Sequence, residues 1–278
     1  MKVALLQMTS GDDPSANLAV TRKMMRAAAT EGATFLCTPE VTNCVSASRR
    51  HQMDVLQHEV DDLTLAGLRA EAKALGVWLS IGSLALKTDG DRFANRSFLI
   101  KPNGDIAARY DKIHMFDVQL SETEVYHESK GYRPGDAAVV VDTDFGRVGL
   151  TICYDVRFPH LYRDLAKAGA DIILVPAAFS QATGPAHWDV LLRARAIETG
   201  CFILAAAQTQ DHSPKRASHG HSLAVSPWGM LLSDAGVDPG VTVIDFDLAE
   251  VAQARQRIPA LTHDRDYVPP VWLTQPKA

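Results

Sequence analysis

Several things are scarce in this chain of 278 residues, and each scarcity excludes something. No run approaches the roughly 18 apolar residues that a membrane-spanning helix needs, so no membrane partner is expected. There is no basic surplus: 28 Lys and Arg stand against 33 Asp and Glu, for a net charge of -5. Nucleic-acid binding draws on cations that displace phosphate counterions, so no nucleic-acid partner is expected either. Only four cysteines occur (Cys37, Cys44, Cys153 and Cys201), with no CxxC pair and no regular framework. In a chain of this length that usage points to free thiols in a reducing cytoplasm. The N-terminus lacks the long apolar core of a signal peptide, since its short apolar run soon meets Asp12 and Asp13; it reads as a first strand. Linkers, low-complexity tracts and short-period repeats are absent, so one domain over 1–278 is expected.

What is present is an ordinary globular balance, 46% hydrophobic and 22% charged. VALLQM opens as a strand. Apolar and small residues at helical spacing (Leu18, Met24, Met25, Ala28) predict a helix over Asn17–Ala33, and a second strand runs over Thr34–Thr38 to Pro39. A helix is expected from about Leu63 to Leu75, ended by Gly76, then a strand over 77–86 and a hairpin turning at Pro102, Asn103 and Gly104. The second half repeats this grammar. A hairpin turns at Asp144, Phe145 and Gly146, helices are expected over Pro159–Ala168 and Pro185–Thr199, and the run DIILVPAAF lies between them. Four further strand candidates and a helix near Ala249–Arg257 follow. Alternating helices with strands apolar on both faces define an α/β protein, and the hairpins make its sheets mixed.

Three reactive side chains sit just after strands: Glu40, Lys112 and Cys153. Strand ends of α/β folds open into a common crevice, so these could supply a base, a cation and a nucleophile. An ammonium near the sulfur would favour the thiolate, and a carboxylate could move its proton. Taken singly, each has a plainer reading: a turn residue after Pro39, a solvated lysine, an inert buried thiol.

The wording around them narrows the choice. FLCTPE (35–40), RYDKIHMFDV (109–118) and GLTICYDVRFP (149–159) resemble the signature blocks of the nitrilase superfamily of carbon–nitrogen hydrolases, over essentially the whole chain. The resemblance implies a four-layer αββα sandwich and a Glu-Lys-Cys triad that falls on Glu40 as base, Lys112 as oxyanion-stabilising cation and Cys153 as nucleophile. HESKGYRPGD (127–136) resembles the block with a second active-site glutamate, here Glu128. It further implies a homodimer or higher oligomer joined through elements after the cysteine. PAAFSQATGPAHWDVLLRARAIETGCFILAAAQ (176–208) and KRASHGHSLAVSPWG (215–229) look like the branch that acts on deaminated glutathione, although His219 stands where relatives often carry Tyr. The expected reaction is hydrolysis of that small-molecule amide to 2-oxoglutarate and cysteinylglycine through a thioester. The backbone N–H of Tyr154 would join Lys112 as oxyanion donor, and no cofactor or metal would be required. The alternatives are an ω-amidase acting on 2-oxoglutaramate, an N-carbamoyl-amide hydrolase, or a catalytically silent dimeric binding module.

Phe179 and Thr183, by their position after the DIILVP strand, are expected to contact substrate. Arg157 either faces the pocket or structures the cysteine loop through Asp155. Arg193 and Arg195 read equally well as acid-binding groups or as salt bridges on the helix. His212, His219 and His221 resemble a metal cluster, and a strand could place His219 and His221 on one face, but no Cys is near and the plainer reading without zinc is favoured. Asp144, Phe145 and Gly146 match a kinase motif in letters only and read as a turn.

Overall fold

The computed structural model describes residues 1–122, 124–213 and 216–270. Its centre is a pair of mixed sheets. The first orders its strands Gly240–Asp245, Lys2–Gln7, Phe35–Cys37, Trp78–Leu86, Phe93–Ile100 and Ile106–Asp111, with Tyr132–Arg133 also paired to Phe93–Ile100. The second runs Leu231–Asp234, Leu223–Val225, Phe202–Ala205, Ile172–Leu174, Gly146–Leu150 and Val139–Thr143. Read from Gly240–Asp245 in the first sheet and from the opposite edge, Val139–Thr143, in the second, the pairings follow one sequence: antiparallel, parallel, parallel, antiparallel, antiparallel. The repeated grammar of the two halves is therefore a repeated topology.

The layers follow from the two-residue period of a strand. Val3, Leu5, Phe35, Cys37 and Leu99 pack in one cluster with Val148, Leu150 and Ile173 of the other sheet. Their neighbours Ala4, Leu6, Leu36, Leu79 and Phe98 point the opposite way, onto Met25, Ala28, Leu68 and Ala72 of the helices Pro14–Thr30 and Leu63–Leu75. On the far side, Leu161 and Leu165 of Pro159–Lys167 and Trp188 and Leu192 of Gly184–Thr199 cover the second sheet. Helix, sheet, sheet, helix is the four-layer sandwich. Each buried Val, Leu, Ile, Phe or Met among them contributes about 1.5–3 kcal/mol.

The expected elements form with small shifts. The first helix begins at Pro14 rather than Asn17, because Asp13 accepts hydrogen bonds from the N–H groups of Ser15 and Ala16 and Pro14 suits a first turn. Leu63–Leu75 ends where Gly76 turns left-handed. Only Ile172–Leu174 of DIILVPAAF pairs as a strand; Pro176 has no N–H to donate, and the chain continues through an isolated bridge, Ala177 to Ala207. The helix Arg49–Val55 and the short hairpin of Asp117–Gln119 with Val125–His127 carry too little periodicity to be read in advance. A second bridge, Met8 to Gln208, ties the sheets at the end where Glu40 and Cys153 emerge.

Candidate active site

Glu40 stands in a turn just beyond Phe35–Cys37 that is braced from both sheets. Thr38 and Thr42 share a hydroxyl hydrogen bond of 2.8 Å, and the Ser83 hydroxyl accepts from the N–H of Val41, which is left-handed at φ 48. The Gln208 amide, fully buried, donates to the Glu40 carbonyl at 3.0 Å from the second sheet. Gly82 underlies this turn: a Cβ there would lie 2.1 Å from the Thr38 carbonyl oxygen and 2.5 Å from that of Pro39. Only glycine permits that approach.

Lys112 follows the strand Ile106–Asp111, its N–H donating to the Asn95 carbonyl at 3.0 Å. Its ammonium donates to Glu40 Oε1 at 2.8 Å and to both oxygens of Glu128 at 2.9 Å. Glu128 opens the short helix Glu128–Gly131 and also accepts the Phe116 N–H at 2.6 Å. Cys153 begins a 3-10 helix, Cys153–Arg157, two residues beyond the strand Gly146–Leu150, and its φ of 47 is a strained value for a residue with a side chain. Its N–H donates to the Pro176 carbonyl at 2.9 Å. Tyr154 lies in the first turn of that helix, where N–H groups have no partner within the helix.

The structure thus brings Glu40, Lys112, Glu128 and Cys153 together at the floor of a cavity of about 390 Å³ that Tyr154, Phe179 and Thr183 also line. Burial alone would raise the Glu40 carboxyl, but the Lys112 ammonium, the Ala178 N–H and the Asn95 amide hold it below the usual carboxylate value. Burial also works against a charged Lys112, yet Glu128 and Glu40 outweigh it and keep the ammonium protonated well above its ordinary range. For Cys153 the outcome differs from the expected thiolate. Burial and then Glu40 push the thiol well up, and Lys112 offsets only part of that. The resting site is a carboxylate, an ammonium and a neutral thiol.

Two further residues complete it: Asn95, which no sequence pattern singled out, and Asp155, read from the sequence only as a partner of Arg157. Asn95 donates from Nδ2 to Glu40 Oε1 at 2.9 Å and to Glu128 Oε1 at 3.4 Å. Asp155, fully buried, accepts from the Tyr110 hydroxyl at 2.7 Å, from the N–H of His114 at 3.1 Å and from that of Ile152 at 2.8 Å, and pairs with His114 Nδ1 at 2.7 Å. It joins the Lys112 segment to the Cys153 turn.

The remaining expected positions sort by contact. Phe179 is both wall and core, its ring 4.8 Å from that of Trp188. Arg157 does not line the cavity and does not pair with Asp155, whose oxygens are taken by Tyr110, His114 and Ile152. Its guanidinium lies 5.9 Å from the Tyr154 ring and 5.4 Å from that of Phe179, and it meets His187 Nδ1 at 3.2 Å. Arg195 is buried on the Val156 carbonyl and Glu198, and Arg193 donates to the Gly229 carbonyl, so both arginines are structural. Cys44 lines the cavity, whereas Cys37 and Cys201 are core. The His219 and His221 rings stack at 4.5 Å, and His219 fills the space left by Gly184, where a Cβ would lie 2.1 Å from its ring. The His212 side chain and Lys215 lie outside the described residues. No group of three or more His, Cys, Asp or Glu among the described residues could hold a metal. No described helix is long and apolar enough to cross a membrane. Asp144, Phe145 and Gly146 form a turn, with Phe145 packed 5.2 Å from Phe35.

This fold is that of a known enzyme class. The carbon–nitrogen hydrolase family model matches residues 2–256, and the chain belongs to that family. It is 40% identical over 268 residues to a deaminated glutathione amidase of Yersinia enterocolitica, covering 95% of this chain and 92% of that one. Among solved structures it resembles the Caenorhabditis elegans NitFhit protein (TM-score 0.90, 36% identity), covering 95% of this chain and 65% of that longer one. It also resembles Saccharomyces cerevisiae Nit3, a member of branch 10 of the nitrilase superfamily (TM-score 0.86, 27% identity, 96% and 97% covered).

Proposed function

We propose that the protein is an amidase that hydrolyses deaminated glutathione to 2-oxoglutarate and cysteinylglycine, with Cys153 as nucleophile. The observation that carries the chemistry is a neutral Cys153 thiol lining one cavity with an ionised Glu40 that is paired with Lys112. The substrate rests on likeness to the Yersinia amidase across 95% of the chain.

The hydrogen-bond count directs the proton. Glu40 Oε1 already accepts from Lys112 and Asn95, while among the described residues Oε2 accepts only the Ala178 N–H. The second lone pair of Oε2 is therefore the one to receive the thiol proton as sulfur attacks the amide carbonyl. Taking that proton neutralises Glu40 and loosens its hold on Lys112. One ammonium N–H is then released toward the oxyanion at the moment it forms, alongside the N–H of Tyr154. Glu128 keeps the ammonium in place through its two 2.9 Å contacts. Collapse breaks the C–N bond, and Glu40 returns the proton to the leaving amine. Water, deprotonated by Glu40, then cleaves the thioester and frees Cys153. Phe179 and Thr183 would contact the leaving dipeptide; Arg157 would act only from behind Phe179 and Tyr154. The thiol carries the covalent chemistry, so the mechanism calls on no cofactor.

The assay is release of 2-oxoglutarate from deaminated glutathione and from 2-oxoglutaramate. A higher kcat/KM on the first is expected; a preference for the second would make the protein an ω-amidase. We further infer a homodimer in the cytoplasm. All four cysteines are thiols. Val190 and Ile197 of Gly184–Thr199, with Trp228 and Met230, leave large apolar side chains exposed on one side of the sandwich. Light scattering on the purified protein reads the oligomer directly, and a monomer would refute it.

A further inference from the structure

Asn95 spans the two carboxylates of the site through one NH2 group, 2.9 Å from Glu40 Oε1 and 3.4 Å from Glu128 Oε1. Its orientation is forced. A flipped amide would set Oδ1 against two carboxylate oxygens, so the donor side must face them. Oδ1 then lies buried with no hydrogen-bond partner among the described residues. An orphaned buried acceptor costs free energy that an apolar side chain would not incur. The side chain lies in the strand Phe93–Ile100 with 2% of its surface exposed, a position an apolar residue would otherwise suit. What the amide supplies in return is its donor half.

We propose that Asn95 is a positioning residue: it occupies Glu40 Oε1 together with Lys112, ties Glu40 to Glu128, and so reserves Oε2 for the Cys153 proton. This rests on the roles given to Glu40 and Cys153 above. The charged and titratable groups facing Glu40 are Lys112, Glu128 and Cys153. Two carboxylates here share one ammonium, so their mutual repulsion favours protonating one of them. A neutral donor bridging both counters that repulsion without adding charge, and its amide is among the groups that keep the Glu40 carboxyl low.

The test compares Asn95→Ala, Asn95→Ser and Asn95→Asp with wild type. The readout is the pH dependence of Cys153 alkylation by iodoacetamide, followed by the mass of the peptide carrying Cys153. Glu40 must be ionised to accept the proton, so reactivity is present above its apparent value and lost as pH falls. Losing the amide donor should move that acid-side midpoint upward by about one pH unit in Asn95→Ala. Asn95→Ser, which keeps one donor, should fall between, and Asn95→Asp should move furthest by adding a third carboxylate. The profile is read on the folded fraction after size-exclusion chromatography, because an unfolded chain would alkylate along an ordinary thiol profile, and a purely structural role would leave the folded midpoint in place. Turnover of deaminated glutathione should fall roughly tenfold or more in kcat with KM within about twofold. Midpoints within about 0.2 units of wild type in all three variants would overturn the proposal. A shifted midpoint in a protein that does not turn over deaminated glutathione would overturn the substrate and leave Asn95 standing.

Discussion

Replacing Lys112 with methionine removes the single cation from a buried pair of carboxylates, and its effect on stability should change with pH in a definite direction. The Lys112 side chain is 2% exposed, with Glu40 at 2.8 Å and Glu128 at 2.9 Å. Stripping one partner from a buried ion pair costs about 3–5 kcal/mol. For a chain of this size that corresponds to a fall in thermal midpoint on the order of 10 °C near pH 7.5. In the wild type, Glu40 is held below its unfolded value. Its stabilisation is therefore complete above that value and is lost only as pH falls through the lower folded one. Lys112 is raised, so its stabilisation is complete below its unfolded value and persists until strongly alkaline pH. Neither contribution changes between pH 5 and 8. In Lys112→Met, burial dominates Glu40 and its folded value moves above the unfolded one. The penalty then grows as pH rises toward that folded value and shrinks toward pH 5, at up to about 1.4 kcal/mol per pH unit. Thermal melts of both proteins at pH 5, 6, 7 and 8 measure the gap. A gap that stays constant over that range, or a Lys112→Met protein as stable as wild type, would refute the electrostatic account of the site.

Three further outcomes are expected. Cys153→Ala should have no measurable turnover and no loss of thermal stability, whereas Cys37→Ala and Cys201→Ala should keep most activity; turnover within about tenfold of wild type in Cys153→Ala would remove the covalent mechanism. Lys112→Arg should lower kcat by about a hundredfold or more, because a planar guanidinium cannot occupy the compact site between Glu40 and Glu128, and near-normal rates would make the lysine a distant charge. Phe179→Ala, which opens a hole beside Trp188, should cost about 3–5 kcal/mol in denaturant unfolding and lower kcat/KM more for deaminated glutathione than for 2-oxoglutaramate; equal losses on both would confine Phe179 to the core.

What depends on neighbours along the chain was legible in the letters. The helix Leu63–Leu75 and its stop at Gly76, the turn at Asp144–Gly146 and the placing of Glu40, Lys112 and Cys153 at strand ends are local facts of period and turn chemistry. So are the blocks whose resemblance implied the family. Contacts made only when the sheets dock were decided by the tertiary structure. Gln208 reaches the Glu40 carbonyl across 168 residues, Ala178 meets its carboxylate across 138, and Asp155 joins Tyr110 across 45. Nothing in the letters around Asn95 marks it, since an asparagine in a strand becomes a bridge only when Glu40 and Glu128 arrive on the same face. Arg157 lies beside the nucleophile in sequence, yet it sits behind the wall of the cavity because the 3-10 turn carries it toward His187. The charge state of Cys153 is the clearest case. Proximity to a lysine favours the thiolate and burial with Glu40 favours the thiol, and the sign follows from how completely the two sheets exclude water, a quantity that exists only in the folded chain.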